Sequence, residues 1–413
     1  MTKFKTLALA ATALSAGTLM VAPAVAQKKK GQEQAAPAAA GPKLSKEERA
    51  AIVPLEQAFG AKDWAAVAAA LPAAEAAAKG PDAKYLVAAR KLAVAQNSND
   101  QAATAAAIQA MIASGSSLAN ELQLQRALGS TAYNAKDYET SARAFERVAQ
   151  LNSADPDAAA NVAKIRAMQK QYPQAVAIME QRIAAASQGG AKAPEADYKL
   201  ALQYTLDGKL PAQGNKLARE LVMAYPTPEN WRLALDIYRS NNPRLDQAST
   251  TDLLRLMRAA KLLKANDYIE LAENLNERGL PGETKAVLDE GIASRALDAG
   301  RVKDLQGVVN TRLQGDRASL GSAESKAQSA ADGRLAMNTA DAYLGYGEYA
   351  KAAALYRTAL QKGGVDAATV NTRLGIALAM AGNKAEAQTA FGAVTGPRSD
   401  IANYWVLWLN QRA

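Results

Sequence analysis

The chain has 413 residues, a net charge of +9, and neither cysteine nor histidine. These two absences exclude disulfides, thiolate nucleophiles, cysteine zinc sites, Ser-His-Asp catalysis and the imidazole ligands of most transition-metal sites. More than half of the positive surplus lies in the first 43 residues. The remainder is small for a nucleic-acid-binding protein, so we expect no nucleic-acid partner.

The first 26 residues have the organisation of a secretory signal peptide. Lys3 and Lys5 form a positive n-region, residues 7–21 are apolar or small, and an A-x-A cleavage site ends at Ala26. We therefore expect a periplasmic or secreted protein whose mature chain begins near Gln27. No later run approaches about 18 apolar residues, so we expect no integral membrane span.

The rest of the chain is predicted to be a short linker followed by helices that are separated by turns. Residues 27–43 combine lysine, alanine, proline and glycine without an apolar period, which predicts a flexible linker. From Leu44 to Val394 no stretch alternates as a strand does, and alanine is abundant. The sequence therefore predicts an all-α protein.

A short helix-breaking turn recurs about every 35 residues. Such a period predicts a solenoid of about ten antiparallel helix pairs, each burying its apolar face against its neighbours. The first residues of these turns are Lys62, Asn99, Lys136, Lys170, Gly208, Asn242, Gly279, Leu313, Gly347 and Gly382.

The clearest unit covers residues 122–155, and its apolar residues have helical spacing on both sides of the turn. The first helix carries Leu124, Leu128 and Ala132, and the second carries Ala142, Phe145 and Val148. Near the C-terminus, small residues precede aromatic ones by four positions. These pairs are Ala352 with Tyr356 and Ala387 with Phe391. The small residue lets two helices approach closely, and the aromatic ring fills the space between units.

These residues resemble the tetratricopeptide repeat family. Leu128-Gly129 and Leu374-Gly375 match its L-G step, Tyr343 matches its first tyrosine, and Ala352/Tyr356 and Ala387/Phe391 match its A-x3-F step. Trp231 and Tyr238 match its W and Y spacing. The resemblance implies a right-handed superhelix and a binding scaffold. Other helical-repeat families remain open for the middle of the chain.

The predicted organisation has seven segments. They are a signal peptide at 1–26, a linker at 27–43, degenerate repeats at 44–121, clear repeats at 122–188, degenerate repeats at 189–332, clear repeats at 333–395 and a C-terminal capping helix at 396–413.

In tetratricopeptide arrays the first helix of each pair lines an inner groove, so the resemblance implies a set of partner-binding residues there. Arginine, lysine and asparagine side chains at these positions are suited to holding a peptide carboxylate or backbone. The residues are Gln123, Arg126, Ser130, Tyr133, Asn134, Asn161, Lys164, Arg334, Asn338, Asp341, Thr372 and Arg373.

The C-terminal helix places Ile401, Trp405 and Trp408 on one face. A solenoid needs such a face to seal its last unit, so we interpret this helix as a cap. The alternative is an exposed aromatic anchor for a partner or for self-association.

Taken together, the sequence predicts a non-enzymatic exported scaffold that binds a protein or an extended peptide in the cell envelope. It predicts no catalytic residue, no metal and no cofactor. The alternatives are a helical-repeat subunit of a peptidoglycan- or polysaccharide-processing complex, or of an export or pilus-type assembly.

Overall fold

A computed structural model describes residues 41–412 except residues 154 and 156. The predicted signal peptide, its cleavage site and most of the linker lie outside these residues. The chain divides into two compact units, Met1–Lys209 and Leu210–Ala413, which we call the first and the second unit.

Nine α-helices build the described part of the first unit, and successive helices pack against each other. They are α1 Lys46–Gly60, α2 Trp64–Ala77, α3 Pro81–Asn97, α4 Gln101–Ala113, α5 Glu121–Asn134, α6 Tyr138–Leu151, α7 Ala158–Met168, α8 Tyr172–Ala186 and α9 Glu195–Asp207. A short 3-10 helix, Gln188–Gly190, precedes α9.

The described part of the second unit contains eleven α-helices and two short 3-10 helices, Ala299–Val302 and Gly396–Arg398. The α-helices are α10 Pro211–Ala224, α11 Pro228–Asn241, α12 Gln247–Ala259, α13 Ala265–Glu277, α14 Pro281–Ala293, α15 Lys303–Ser329, α16 Arg334–Gly345, α17 Tyr349–Lys362, α18 Ala367–Met380, α19 Lys384–Gly392 and α20 Ser399–Gln411. No strand occurs in the described part of either unit, so the prediction of an all-α array of helix pairs is confirmed.

Most of the predicted turns end a helix through a residue with left-handed backbone geometry. Such a residue stops a helix because its positive φ turns the chain away from the helical path. The predicted turn residues with positive φ are Lys62, Asn99, Lys136, Lys170, Gly279, Gly347 and Gly382, and at the Gly208 turn it is the following residue, Lys209. Lys261 and Arg295 adopt the same geometry at two helix ends that the period does not predict.

Helix starts in the first unit are capped by side chains. Asp63, Asp100, Asn120 and Asp137 each accept a hydrogen bond from a backbone N–H of the first helical turn. A side-chain acceptor at this position satisfies an N–H that the helix itself leaves unpaired, which stabilises the helix by about 1 kcal/mol. The turn and the cap are encoded by adjacent residues, which is why the sequence reveals the period.

In two helix pairs, a glycine of the first helix lies against a phenylalanine ring of the second helix. A Cβ atom added to Gly129 would lie 2.7 Å from Cε2 of Phe145, and one added to Gly375 would lie 2.5 Å from Cε1 of Phe391. Only glycine permits this approach of α5 to the ring on α6, and of α18 to the ring on α19. Both units therefore contain a close glycine–phenylalanine contact at the position of the L-G step.

The turn predicted at Leu313 is wrong. Residues 303–329 form the continuous helix α15, in which neither Leu313 nor Gly315 has a positive φ. Tyr343 of α16 and Tyr346, which follows α16 directly, both bind α15. The Tyr346 hydroxyl donates to Asp316 at 2.6 Å, and the Tyr343 hydroxyl donates to Glu324 at 2.7 Å. The predicted repeat is here replaced by one long helix.

Helix α12 is deeply buried in the second unit. Every residue from Thr251 to Met257 is buried, and the helix contacts α13, α18 and α20. A helix enclosed on all sides must neutralise its polar side chains internally. In α12, the charged side chains that need partners inside the protein are those of Asp252 and Arg255.

Candidate partner-binding surfaces

The predicted groove residues of the first unit lie on the outward side of α5 and α7. Gln123 and Asn134 are exposed, and the other five are half-buried: Arg126, Ser130, Tyr133, Asn161 and Lys164. On the opposite side of α5, Leu124 and Leu128 are buried in a cluster with residues of α3, α4 and α6. The core thus fixes α5 while leaving its polar side available.

One contact joins the two helices into a single surface. The Lys164 ammonium of α7 lies 4.9 Å from the ring centroid of Tyr133 on α5. The Tyr133 ring also meets Tyr138 edge-on, with centroids 5.8 Å apart. A cation over an aromatic face is stabilised by about 0.5–1 kcal/mol at an exposed site. Side chains from successive first helices therefore form a continuous surface of aromatic and basic groups.

Arg126 is anchored at one end of this surface by an ion pair with Asp155. Asp155 also accepts hydrogen bonds from the N–H groups of Asp157 and Ala158, both at 2.9 Å, at the start of α7. Burial alone would raise the pKa of Asp155, but these bonds and the Arg126 guanidinium lower it. The Arg126 side chain remains 42% exposed. Its free guanidinium edge is available to a second carboxylate.

The predicted groove residues of the second unit are divided between surface and interior. Arg334 and Asn338 are exposed, and Arg334 donates to the Gly364 carbonyl at 3.3 Å. Asp341, Thr372 and Arg373 are buried, with Arg373 only 1% exposed. As they lie in the structure, these three residues offer no surface to a partner. The prediction that they contact one is corrected accordingly.

The chain's own helix α12 occupies the position that the sequence assigned to a partner. Its Asp252 accepts from Nε of Arg373 at 3.4 Å and from Nη1 of Arg398 at 2.6 Å. Its Arg255 donates to Asp252 at 2.8 Å and to both oxygens of Glu283 at 2.8 and 2.5 Å. Arg373 and Arg398 therefore bind a carboxylate of α12, although Nη2 of Arg373 is buried without a hydrogen-bond partner in the described part of the chain.

These residues belong to a buried arginine–carboxylate network. Its members are Asp252, Arg255, Arg278, Glu283, Asp341, Arg373 and Arg398. Asp341 accepts from Arg373 at 2.7 Å, from Arg278 at 2.8 Å and from the Tyr356 hydroxyl at 2.6 Å. Burial and the Asp341 carboxylate raise the pKa of Tyr356, so its hydroxyl keeps its proton and donates.

The network keeps the Asp252 carboxylate ionised. Burial alone would raise the pKa of Asp252, but the guanidiniums of Arg373, Arg255 and Arg398 outweigh it and lower the pKa to about 2. Buried charges are tolerated only when they are paired and hydrogen-bonded in this way.

The C-terminal helix α20 is packed into the second unit. Ile401, Trp405 and Trp408 are all buried. Trp405 stacks on Phe391 with ring centroids 5.9 Å apart, and its indole N–H donates to the Asp252 carbonyl at 3.3 Å. This burial fits the interpretation of α20 as a cap rather than as an exposed aromatic anchor.

Further contacts tie α20 to α10 and α11. Gln411 donates to the Val222 carbonyl and accepts from the indole N–H of Trp231, both at 2.9 Å. Arg219 of α10 donates to Asp400 at 2.7 Å. The last helix therefore binds the first two helices of the second unit.

Sequence reasoning missed Asp252, Arg255, Glu283 and Arg398. One local signal was available, because Asp252 and Arg255 interrupt the run TDLLRLM, whose apolar residues lie all around the helix. Such a pattern indicates a helix buried on every side, whose charged residues need buried partners.

The described residues give no sign of a metal centre or of a membrane span. Across residues 41–412 as described, no three potential acidic ligands are grouped suitably for a metal ion. Nor does any helix in that part of the chain combine the length and apolarity needed to cross a bilayer.

No family model matches the chain, and no curated protein matches it. Among solved structures it is similar to the C-terminal part of a TPR repeat-containing protein from Cytophaga hutchinsonii, with 10% identity, 77% of this chain and 97% of that chain covered, and a TM-score of 0.32. It is also similar to a tetratricopeptide repeat protein from Parabacteroides merdae, with 10% identity, coverage of 81% and 100%, and a TM-score of 0.26.

A third similar structure is that of Naa15/Naa10 bound to HypK, with 12% identity, coverage of 88% and 66%, and a TM-score of 0.28. With TM-scores this low, none of these likenesses supports a conclusion about function. The helix pairs, the left-handed turns and the glycine–phenylalanine contacts are themselves consistent with tetratricopeptide repeats.

Proposed function

We propose that this protein is an exported, non-enzymatic helical-repeat scaffold. It binds a protein partner, as an extended segment, on the surface formed by α5 and α7. The observation that carries the proposal is the contact between Lys164 and Tyr133, which joins predicted groove residues on the first helices of two successive pairs. Extended ligands need such a continuous surface, because their contacts are spread along the chain.

The chemistry of this surface favours a partner with acidic groups. Arg126 and Lys164 supply positive charge, Tyr133 supplies an aromatic face, and Asn134 and Asn161 can bond a peptide backbone. The absence of histidine and cysteine from the sequence supports a binding role over hydrolysis or metal chemistry. The signal-peptide pattern of the first 26 residues supports action in the periplasm or outside the cell.

The partner is identified by placing a photo-crosslinking amino acid at Tyr133 and analysing the adducts from the native compartment by mass spectrometry. We expect one stoichiometric protein partner. Glycan fragments would instead favour a subunit of a polysaccharide-processing complex, and a large multi-protein complex would favour an export or pilus-type assembly.

The site is then tested with the purified partner. We expect the double variant Arg126→Glu, Lys164→Glu to weaken binding more than tenfold, because it reverses both charges on the surface. The matched control, Arg147→Glu with Lys170→Glu, makes the same change in charge on α6 and at a helix end, and we expect binding to be nearly unchanged.

The linker provides the opposing test. Deleting residues 28–43 is expected to change the affinity modestly and only at low salt, since flexible charges add screened attraction but little specificity. If that deletion abolishes binding while the double reversal leaves it intact, the surface of α5 and α7 is not the site.

The proposed export is tested by a separate experiment. N-terminal sequencing of the protein from the periplasm or the medium should give a chain that begins near Gln27 and is recovered in the soluble fraction. A chain that retains Met1 in a membrane fraction would contradict the assignment.

A further inference from the structure

A pocket of about 310 Å³ opens at the C-terminal end of α12 in the second unit. Its floor includes the buried pair of Arg255 and Glu283 together with the indole of Trp405. The N–H of Trp405 is already bonded to the Asp252 carbonyl, so the indole offers the pocket only apolar surface. The volume lies in the range of pockets that hold small ligands.

The walls and part of the rim are apolar. Leu344 and Ile376 are buried side chains that line the pocket, while Tyr349 is half-buried and Met380 is 38% exposed. A methionine at the rim is flexible and adapts to ligands of different shape. The pocket is therefore built to receive an apolar group beside an aromatic surface.

Among the charged side chains that line the pocket, one cation forms no ion pair with another residue that the structure describes. Arg255 is bonded to Glu283 and Asp252, and Arg258 donates to Glu290 at 2.7 Å. Lys261 is exposed at the rim and has no ion-pair partner among the described residues. The lining side chains thus carry a surplus of one positive charge.

The nearby end of α12 does not cancel that charge. Three of its last carbonyls, those of Leu256, Met257 and Arg258, accept the N–H groups of residues 260, 262 and 261. A helix end whose carbonyls are bonded has less attraction for a cation than an open one. Because Arg258 is paired with Glu290, Lys261 dominates the electric field at the rim.

We propose that this pocket binds an amphipathic carboxylate. Its aromatic or branched aliphatic group lies against Trp405 and Ile376, and its carboxylate lies at Lys261. The volume accommodates on the order of ten non-hydrogen atoms, since a water's share of liquid volume is about 30 Å³. This is the size of one terminal residue of a polypeptide or of a small aromatic acid.

The first test compares probes that differ only in charge. N-acetyl-L-phenylalanine and N-acetyl-L-phenylalaninamide are titrated into the mature full-length chain by calorimetry and by saturation-transfer NMR. We expect the carboxylate to bind about tenfold more tightly than the amide, the size of effect that one charge-assisted hydrogen bond has. Equal binding of the two probes, or no binding of either in the low millimolar range, would overturn the proposal.

Two variants, each with a matched control, test whether the probe binds in this pocket. Lys261→Gln should weaken the carboxylate probe by about threefold to tenfold. Lys209→Gln, at an exposed lysine with the same left-handed backbone outside the pocket, should not. Met380→Glu should abolish binding by placing a like charge at the rim, whereas Met223→Glu, at an exposed methionine elsewhere in the unit, should not. Equal losses in the variants and their controls would refute the site.

A second pair of probes distinguishes the two sources of the carboxylate. Acetyl-Gly-Gly-Phe presents a polypeptide terminus, and 3-phenylpropanoate presents the same ring and acid without a peptide group. Tighter binding of the first assigns the pocket to chain termini, and tighter binding of the second assigns it to free acids. The result is independent of the proposed function, because none of the residues tested here lies on α5 or α7.

Discussion

The two units are both built from helix pairs, but they differ in how far the predicted groove residues of these pairs are exposed to solvent. In the first unit, Arg126, Tyr133 and Lys164 are half-buried, and Lys164 contacts the Tyr133 ring at the surface. In the second unit, Asp341 and Arg373 are buried. Arg373 forms an ion pair with Asp252 of α12, and Asp341 forms an ion pair with Arg373. The difference teaches that the polar positions of a repeat stay accessible only where no other segment of the chain fills the space beside them.

The largest effect is expected from removing the centre of the buried network. Asp252→Ala leaves Arg255, Arg373 and Arg398 without their common carboxylate, so we expect the free energy of unfolding of the second unit to fall by about 3–5 kcal/mol. Tryptophan fluorescence during urea unfolding measures it, because Trp231, Trp405 and Trp408 lie in this unit. A loss below about 1 kcal/mol would mean that the network does not hold α12 in place.

Acid should weaken the second unit through the same carboxylate. Because the pKa of Asp252 is about 2 in the folded unit and 3.8 without these contacts, its stabilisation is complete above pH 5. It is lost as the pH falls toward 2, and the loss amounts to about 2 kcal/mol. Urea unfolding, followed by tryptophan fluorescence at a series of pH values from 6 to 2, measures this loss of stability. A second unit whose stability does not change over that range contradicts the prediction.

Overpacking tests whether the helix pairs of the two units are equivalent. Ala142 in α6 and Ala352 in α17 are both fully buried, so Ala142→Trp and Ala352→Trp should each destabilise their unit by about 1–3 kcal/mol. Far-UV circular dichroism during thermal unfolding measures both. Ala354→Trp, at an exposed position of α17, is the control. Neutral results at both buried alanines would place the repeat register elsewhere.

The smallest effect is expected from an exposed ion pair in the first unit. Glu121 and Arg147 are bonded at 2.7 Å, and their side chains are 39% and 44% exposed to solvent. We expect Glu121→Ala to cost about 0.2–1 kcal/mol, and less at high salt, because solvent and ions screen the pair. A cost comparable to that of Asp252→Ala would remove the distinction between the open and the enclosed unit.

The sequence by itself determined the local architecture. Turn residues such as Lys136 and Gly382 stop helices through their own backbone geometry, and caps such as Asp137 act on the next three residues. The spacing of Gly129 and Phe145 encodes the approach of adjacent helices. These signals act over short separations along the chain, so a periodic pattern reveals them. Where such signals were absent, at Leu313, the predicted turn was wrong.

Only the tertiary structure decided which polar residues remain accessible. Arg373 meets Asp252 across 121 positions of sequence, and Arg398 meets it across 146. Asp341 and Arg126 both match the polar positions of a first helix, yet one is buried and the other is 42% exposed. Local periodicity carries no information about contacts at such separations. They depend on the placement of α12, because burial is a property of everything that surrounds a side chain rather than of its own helix.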